Sequence, residues 1–371
     1  FLHKNISDLD FTIDGDPIDL AKSLPDKLYP KLISKSQFGT IKLQIQNHII
    51  DIARTRNESY LKPGALPSIS NGSIEEDLAR RDFSINSIAV SLNSSDWGNI
   101  LDPHFGRTDL ENRLIRSLHP DSFRDDPTRI LRAIKYEQRL GFKIEAKTEQ
   151  ELVNGIQFIN SISGKRLRSE FEYIFDETSV VAILDRGISL GVFNFISTGF
   201  YSLDINEILK VYKKLPHNLN SLINLAFIAY YLSPKESTQF IKRLSMPKSW
   251  VQIVKDTIDL RSITPELSKI DLKSSRIVKY LAGHCYESIL ANKLLTQSKI
   301  AKIRMDDYIN VLQYIHPELS GLELLEMGVP EGPLIAQFLS EILVEKLDGQ
   351  IKSKRQEEEL VKQKLFNTRS F

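Results

Sequence analysis

The chain has 371 residues, 41% hydrophobic and 26% charged; this predicts about two or three folded domains and excludes wholesale disorder. Its 49 basic and 48 acidic side chains leave a net charge of +1, so no global field marks a polyanionic partner. A single cysteine, Cys285, excludes an internal disulfide framework or a cysteine-built zinc site and fits a reducing compartment, so a cytoplasmic location is expected.

The sequence opens on Phe1 and is expected to start inside a domain. Up to about Arg116, short runs with β character (Leu9 to Ile13, Thr40 to Ile45, His48 to Ile52) alternate with turn signals such as Asp14-Gly15-Asp16. Asp8-Leu9-Asp10 places two carboxylates at i and i+2 on the first predicted strand, hence on one face. Like charges that close repel unless a divalent cation sits between them, and Mg²⁺ suits a few carboxylates plus substrate phosphates. Asp51, flanked by Ile50 and Ile52, completes such a cluster if its strand is a neighbour. By itself a D-x-D pair reads first as a solvated strand edge. The run Glu75 to Asn86 predicts one helical face carrying Asp82 and Asn86. Its Arg80-Arg81 pair suits phosphates, and Asp and Asn suit ribose hydroxyls; a charged helix with internal ion pairs is the alternative.

From Pro127 onward strand signals nearly vanish. Apolar residues at 3.6-residue spacing predict helices over Thr128 to Leu140, Lys165 to Phe175 and Leu334 to Leu347. Gly141 reads as a helix end, Gly187 and Gly191 as brackets of a turn, Ser233-Pro234 as a stop, and Gly328 to Pro333 as a turn before a long helix. The most apolar stretch, Leu222 to Leu232, is too short for a membrane span and predicts a core helix. Tyr136 and Phe142 are expected in the core, and His104 and His119 as structural residues. The tail from Lys352 to Arg369 reads as a solvated helix.

The order Asp8-x-Asp10, Phe38-Gly39-Thr40, Ile50-Asp51-Ile52, Arg56-Asn57-Glu58, Arg80 to Asn86 and Asp125-Asp126-Pro127-Thr128-Arg129 resembles the bacterial-type (class II) tRNA nucleotidyltransferase and poly(A) polymerase family. The resemblance continues through Ile130 to Ala133, Arg139 to Phe142 and Gly328 to Pro333. It implies an α/β polymerase-β-like nucleotidyltransferase head over residues 1–116, then an all-helical neck (117–178), body (179–300) and tRNA-binding tail (301–371). It further implies template-independent addition of CMP and AMP, from CTP and ATP, to the 3′ end of tRNA. Asp8 and Asp10 would be catalytic and hold Mg²⁺, with Asp51 as a third acidic position. Arg81, Asp82 and Asn86 would contact the nucleotide, the last two favouring ribose. Asp126 and Arg129 would read the base edge beside Arg132, the tail would hold the tRNA elbow, and no membrane partner is implied.

Base reading fits the residue chemistry. A carboxylate accepts from the exocyclic amine that CTP and ATP carry on the pairing edge, and a guanidinium donates to ring or carbonyl acceptors. On spacing alone Asp126 before Pro127 fits a helix cap, and one carboxylate has oxygens for both tasks. From Arg113 to Glu170 there are 12 Lys/Arg against 8 Asp/Glu, a candidate acceptor-stem track or simply a solvated face. Two departures stand out. The family's Gly-Gly-x-Val-Arg-Asp segment, which cradles the triphosphate ahead of D-x-D, does not occur, so this stretch of chain is expected to bind NTP poorly. The reader begins Asp125-Asp126 where many members have Glu-Asp. Complete CCA addition is the leading expectation, with a CC-only or A-only enzyme, a poly(A) polymerase and a non-catalytic RNA-binding fragment as alternatives.

Overall fold

A computed structural model describes residues 9–28, 30–36, 39–215 and 220–369. Asp8 and Phe38 lie outside the described residues. The chain divides into two compact units, residues 1–198 with Arg243–Ser245, and 199–242 with 246–371.

The first unit opens with a four-stranded sheet of β1 (Leu9–Ile13), β2 (Lys31–Lys35), β3 (Thr40–Ile45) and β4 (His48–Arg54), in the order β1-β4-β3-β2. β1 runs parallel to β4, and the other pairs are antiparallel. Alternation sends Ile41, Leu43 and Ile52 to one face, where Phe11, Ile13 and helix α1 (Pro17–Ser23) cover them. Asp16 starts α1 by accepting from the Ile18 amide at 2.8 Å. The opposite face carries Asp10, Thr12, Thr40, Lys42 and Asp51. Asp10 and Asp51 are register partners across β1 and β4, so the two carboxylates stand side by side. The three predicted strands therefore form where the alternation placed them, β4 extending to Arg54.

A hairpin of β5 (Arg56–Ser59) and β6 (Ser68–Asn71) leads into α2 (Ile74–Ala79), which a Ser73/Glu76 capping box starts. The expected single helical face through Asn86 does not form. α2 ends at Ala79, Phe83 turns extended and bridges to Ser117, and Ser84–Asn86 make one 3₁₀ turn. Two demands break the helix: Asp77 is fully buried to hold both arginines, and the fully buried Phe83 ring needs an extended backbone. After α3 (Gly106–Asn112) and α4 (Ser122–Asp125), α5 spans Thr128–Leu140 and ends at Gly141, as the periodicity predicts. Its apolar side (Ile130, Leu131, Ile134) is buried, and its other side faces the site. α6 (Ala146–Gly155) and α7 (Gly164–Phe175) complete the frame with Val180–Ser189. Gly187 lies inside that last helix rather than at a turn; a Cβ there would meet the Phe193 ring at 2.4 Å. Arg243 seals the unit by donating to the carbonyls of Ile159 (2.6 Å) and Ile162 (3.0 Å), and Arg168 donates to that of Ser245.

The second unit is helical. Leu222 to Leu232 forms the core helix Ile223–Tyr231, and the next helix starts at Pro234. One cluster gathers Leu260, Leu281, Ile289 and Met305, another Leu324, Phe338, Ile342 and Val361. The tail helix, Lys354–Arg369, is less solvated than its composition suggests. Glu357 is fully buried and accepts from the amides of Glu318 and Leu319 and from Lys346 Nζ (2.8 Å). Among the described residues no helix is long and apolar enough to cross a membrane.

Candidate active site

The polar face of the sheet, the end of α2 and one side of α5 enclose a cavity of about 1670 Å³ within the first unit. That exceeds the about 300–1,000 Å³ of an ordinary small-ligand site. Asp10, Asp51, Arg81, Asp82, Asn86, Asp126, Arg129 and Arg132 all line it, so every described residue expected at the site shares one chamber.

On the sheet wall, Asp51 carries a counter-ion of its own, Lys42 Nζ at 3.1 Å. Asp10 and Asp51 present hard oxygen donors to the cavity, a donor set that fits Mg²⁺ when substrate phosphates complete the shell. Among the described residues no group of three or more metal-ligating side chains converges; the third carboxylate of the expected set, Asp8, lies outside them.

The second wall is an arginine cluster fixed from behind by buried acids. Asp77 accepts from Arg80 Nε (3.0 Å) and Nη2 (2.7 Å) and from Arg81 Nη2 (3.3 Å). Glu58 accepts from Arg56 Nε (2.9 Å), Arg80 Nη1 (3.0 Å) and the Tyr60 hydroxyl (2.8 Å). Burial and the Glu58 charge push the Tyr60 hydroxyl well above the ordinary phenol range, so it stays a donor. Each guanidinium is paired before any ligand arrives, which holds the cluster's direction. Asp82, also buried, accepts from the Phe83 amide (2.9 Å), Asn86 Nδ2 (3.0 Å) and Arg132 Nε (2.8 Å). Burial would raise its carboxyl; the Arg132 charge and the hydrogen bonds from Asn86 and Arg132 outweigh that and hold it below the usual carboxylate range. Asp82 and Asn86 thus meet through a turn, not a helical face.

The third wall is α5. Asp126 Oδ1 accepts from the Thr128 amide (3.0 Å), Thr128 Oγ1 (2.6 Å) and Arg166 Nη2 (2.6 Å). Asp126 Oδ2 accepts from no described residue, so the cap leaves one oxygen for the cavity. Arg129 is buried, donating to Ser122 Oγ (2.7 Å) and to the Arg80 carbonyl (2.6 Å), which ties α5 to the arginine cluster. His119 lies beside it at 3.5 Å, and burial together with the Arg129 charge lowers its pKa. Phe142 is buried as expected, but Tyr136 is only partly buried and lines the cavity. Sequence reasoning missed Asp77, Tyr60 and Arg166. Asp77 stands three and four residues before its arginines, a spacing that signals pairing. Arg166 reaches Asp126 from 40 residues away and leaves no local signal.

Comparison with known proteins agrees with this layout. Residues 1–116 match the poly A polymerase head domain, and residues 141–199 match the probable RNA and SrmB-binding site of polymerase A. The A-adding tRNA nucleotidyltransferase of Geobacter sulfurreducens is 30% identical over 92% of this chain and 41% of its own length; the chain thus spans about two fifths of that relative. The A-adding enzyme of Halalkalibacterium halodurans is 29% identical over 94% of this chain and 82% of its own. The CCA-adding enzyme of a Geobacillus strain is 25% identical over 90% of this chain and 85% of its own. Among solved structures, a CCA-adding enzyme in an apo form superimposes with a TM-score of 0.79 at 26% identity, over 96% of this chain and 87% of that one. The Thermotoga maritima CCA-adding enzyme complexed with tRNA gives 0.71 at 26% identity, over 97% and 87%. The head match, the helical remainder and relatives aligned along almost the whole sequence lead to one conclusion: the chain carries a poly A polymerase head domain and is similar along nearly all its length to tRNA nucleotidyltransferases.

Proposed function

We propose that this protein transfers nucleotides from CTP or ATP to the 3′ end of tRNA without a nucleic-acid template. The observation that carries the reading is the single cavity in which paired carboxylates, a pre-set arginine cluster and the Asp126–Arg129–Arg132 face of α5 meet. Asp10 and Asp51 mark the catalytic wall, and Arg81 supplies charge for phosphates. Asp82 and Asn86 build the sugar side, and Asp126 offers Oδ2 to the exocyclic amine of cytosine or adenine. Asp8 and Asp10 would hold a divalent cation, Mg²⁺ by preference, which neutralises charge on the reacting phosphate when bound. The head over 1–116 and a neck over 117–178 share this work, and the helical body and tail are read as the tRNA-holding part.

Complete CCA addition and addition of the terminal A alone both fit the site. The A-only reading carries more support, because the A-adding relatives are 29–30% identical and the CCA-adding ones 23–26%. The test offers the full-length protein labelled CTP or ATP with tRNA ending at the discriminator base, at C or at CC, and sizes the products. One A added only to the CC-ended tRNA establishes the A-adding reading, and C, C and A in order establish the complete one. A long A ladder on any RNA moves the protein to the poly(A) branch. No incorporation, with RNA still bound, overturns the enzyme reading.

A further inference from the structure

On the α5 wall of the cavity, one turn cradles the Arg129 guanidinium from behind. The Ser122 amide donates to the His119 carbonyl at 3.1 Å, closing the turn that leads into α4. From that turn two side chains reach the same nitrogen: Arg129 Nη1 donates to Ser122 Oγ at 2.7 Å and stands 3.5 Å from His119 Nε2. Nη2 donates to the Arg80 carbonyl at 2.6 Å. A guanidinium has only donors, so the His119 contact is attractive in one state of the ring alone: neutral, with its proton on Nδ1 and with Nε2 accepting. Contacts of this kind are commonly long in an unliganded site and tighten around a ligand. Arg129 lines the cavity. Its Nε–H and the second hydrogen of Nη2, which meet no described acceptor, are what it keeps for a base edge.

We propose that His119 is a positioning residue for nucleotide-base recognition: its neutral ring holds Arg129 in place from behind, and a proton on Nε2 turns that hold into a push. An imidazolium offers no acceptor and sets a second positive charge against the guanidinium. Base recognition is then lost in acid while phosphate binding is kept. The charged groups facing the ring are Arg129 from α5, Asp121 and Asp125 at the two ends of α4, and Glu151 from α6. The three carboxylates favour the proton. Burial and the Arg129 charge oppose it and prevail, so His119 titrates below the ordinary imidazole value of about 6.5. The ring is therefore neutral at neutral pH, and the hold is released as pH falls through the lowered value. The inference rests on the proposed function only for the guest being a nucleoside triphosphate whose base meets Arg129.

The test is calorimetric binding of ATP and of tripolyphosphate, which carries no base, with Mg²⁺, to the full-length protein between about pH 7.5 and about pH 5, the window in which histidine changes charge. In the wild type ATP should lose about tenfold more affinity than tripolyphosphate across that window, the loss of roughly one hydrogen bond. Equal losses overturn the proposal and require no variant. His119→Phe, which removes the acceptor, should bind ATP weakly already at the upper pH, with tripolyphosphate unchanged. His119→Gln, whose side-chain carbonyl accepts without titrating, should restore ATP binding and abolish the acid loss. Unchanged thermal unfolding midpoints certify both folds. Coincident pH profiles of the wild type and His119→Gln overturn the proposal, as does a His119→Phe effect equally large on tripolyphosphate. tRNA extension is measured in parallel: a His119-dependent profile without any extension refutes the proposed function and keeps His119, and extension with coincident profiles does the reverse. Failure of ATP to bind refutes both.

Discussion

Asp126 gives one carboxylate oxygen to architecture and, on the proposed function, the other to the nucleotide base, and the two halves are separable by substitution. Asp126→Asn keeps an oxygen for the Thr128 amide and loses the charge beside Arg166. Stability should fall by about 1 kcal/mol or less, while extension assays with each nucleotide should show new acceptance of UTP. Arg166→Met leaves Oδ1 without its charged partner; the KM for ATP should rise several-fold with a smaller change in kcat, read from steady-state extension rates. Asp10→Ala should abolish incorporation while tRNA binding, followed by gel shift, persists; retained turnover would overturn its assignment to the catalytic wall. At this scale the sequence was most legible where chemistry is local: Asp126 before Pro127 announces its cap, and the carboxylates announce themselves by alternation. Nothing local announces Arg166 on Asp126, which comes from α7, or Arg132 on Asp82 Oδ2, which comes from α5.

Among elements, the loop from Tyr60 to Pro67 is fastened at Gly64. Its amide donates to the Arg124 carbonyl (3.3 Å), its carbonyl accepts from Arg166 (2.9 Å), and its φ is +69°. A Cβ there would stand 2.1 Å from Ser161 Oγ and 3.1 Å from the Ser161 backbone. Gly64→Ala should therefore cost about 1–3 kcal/mol, seen in thermal unfolding, and raise nucleotide KM, because Arg166 serves the loop and Asp126 together. β1, β3 and α5 were readable because burial on one side imposes a single period along each. α2 was not: charge spacing extended it to Asn86, whereas Phe83 takes its conformation from Ser117, a strand partner no helical period encodes.

Over the whole molecule, the α/β head and helical remainder follow from where strand alternation gives way to helical spacing near Pro127. The tail helix shows the limit of such reading. Its three consecutive glutamates look alike in sequence, yet Glu357 is buried against amides 38 and 39 residues earlier. Burial works against its ionisation, but Lys346 and those amides hold its pKa below the ordinary value. A depressed carboxylate stabilises fully above its unfolded pKa, about 4.3, and that stability is lost as pH falls through the folded value. Amide exchange in Lys354–Arg369 should therefore quicken below about pH 4, and in Glu357→Gln it should be fast already at neutral pH, with a loss of about 3 kcal/mol. The first unit, for its part, borrows Arg243–Ser245 from beyond its own continuous stretch. On the ribosome the carbonyls of Ile159 and Ile162 wait for a guanidinium that is translated only after the start of the second unit has emerged. At about 5–20 residues per second that is a delay of seconds, during which the first unit is synthesised through Thr198 but not yet sealed. A nascent chain stalled before Arg243 should be far more open to protease around Ile159 than one released after Ser245.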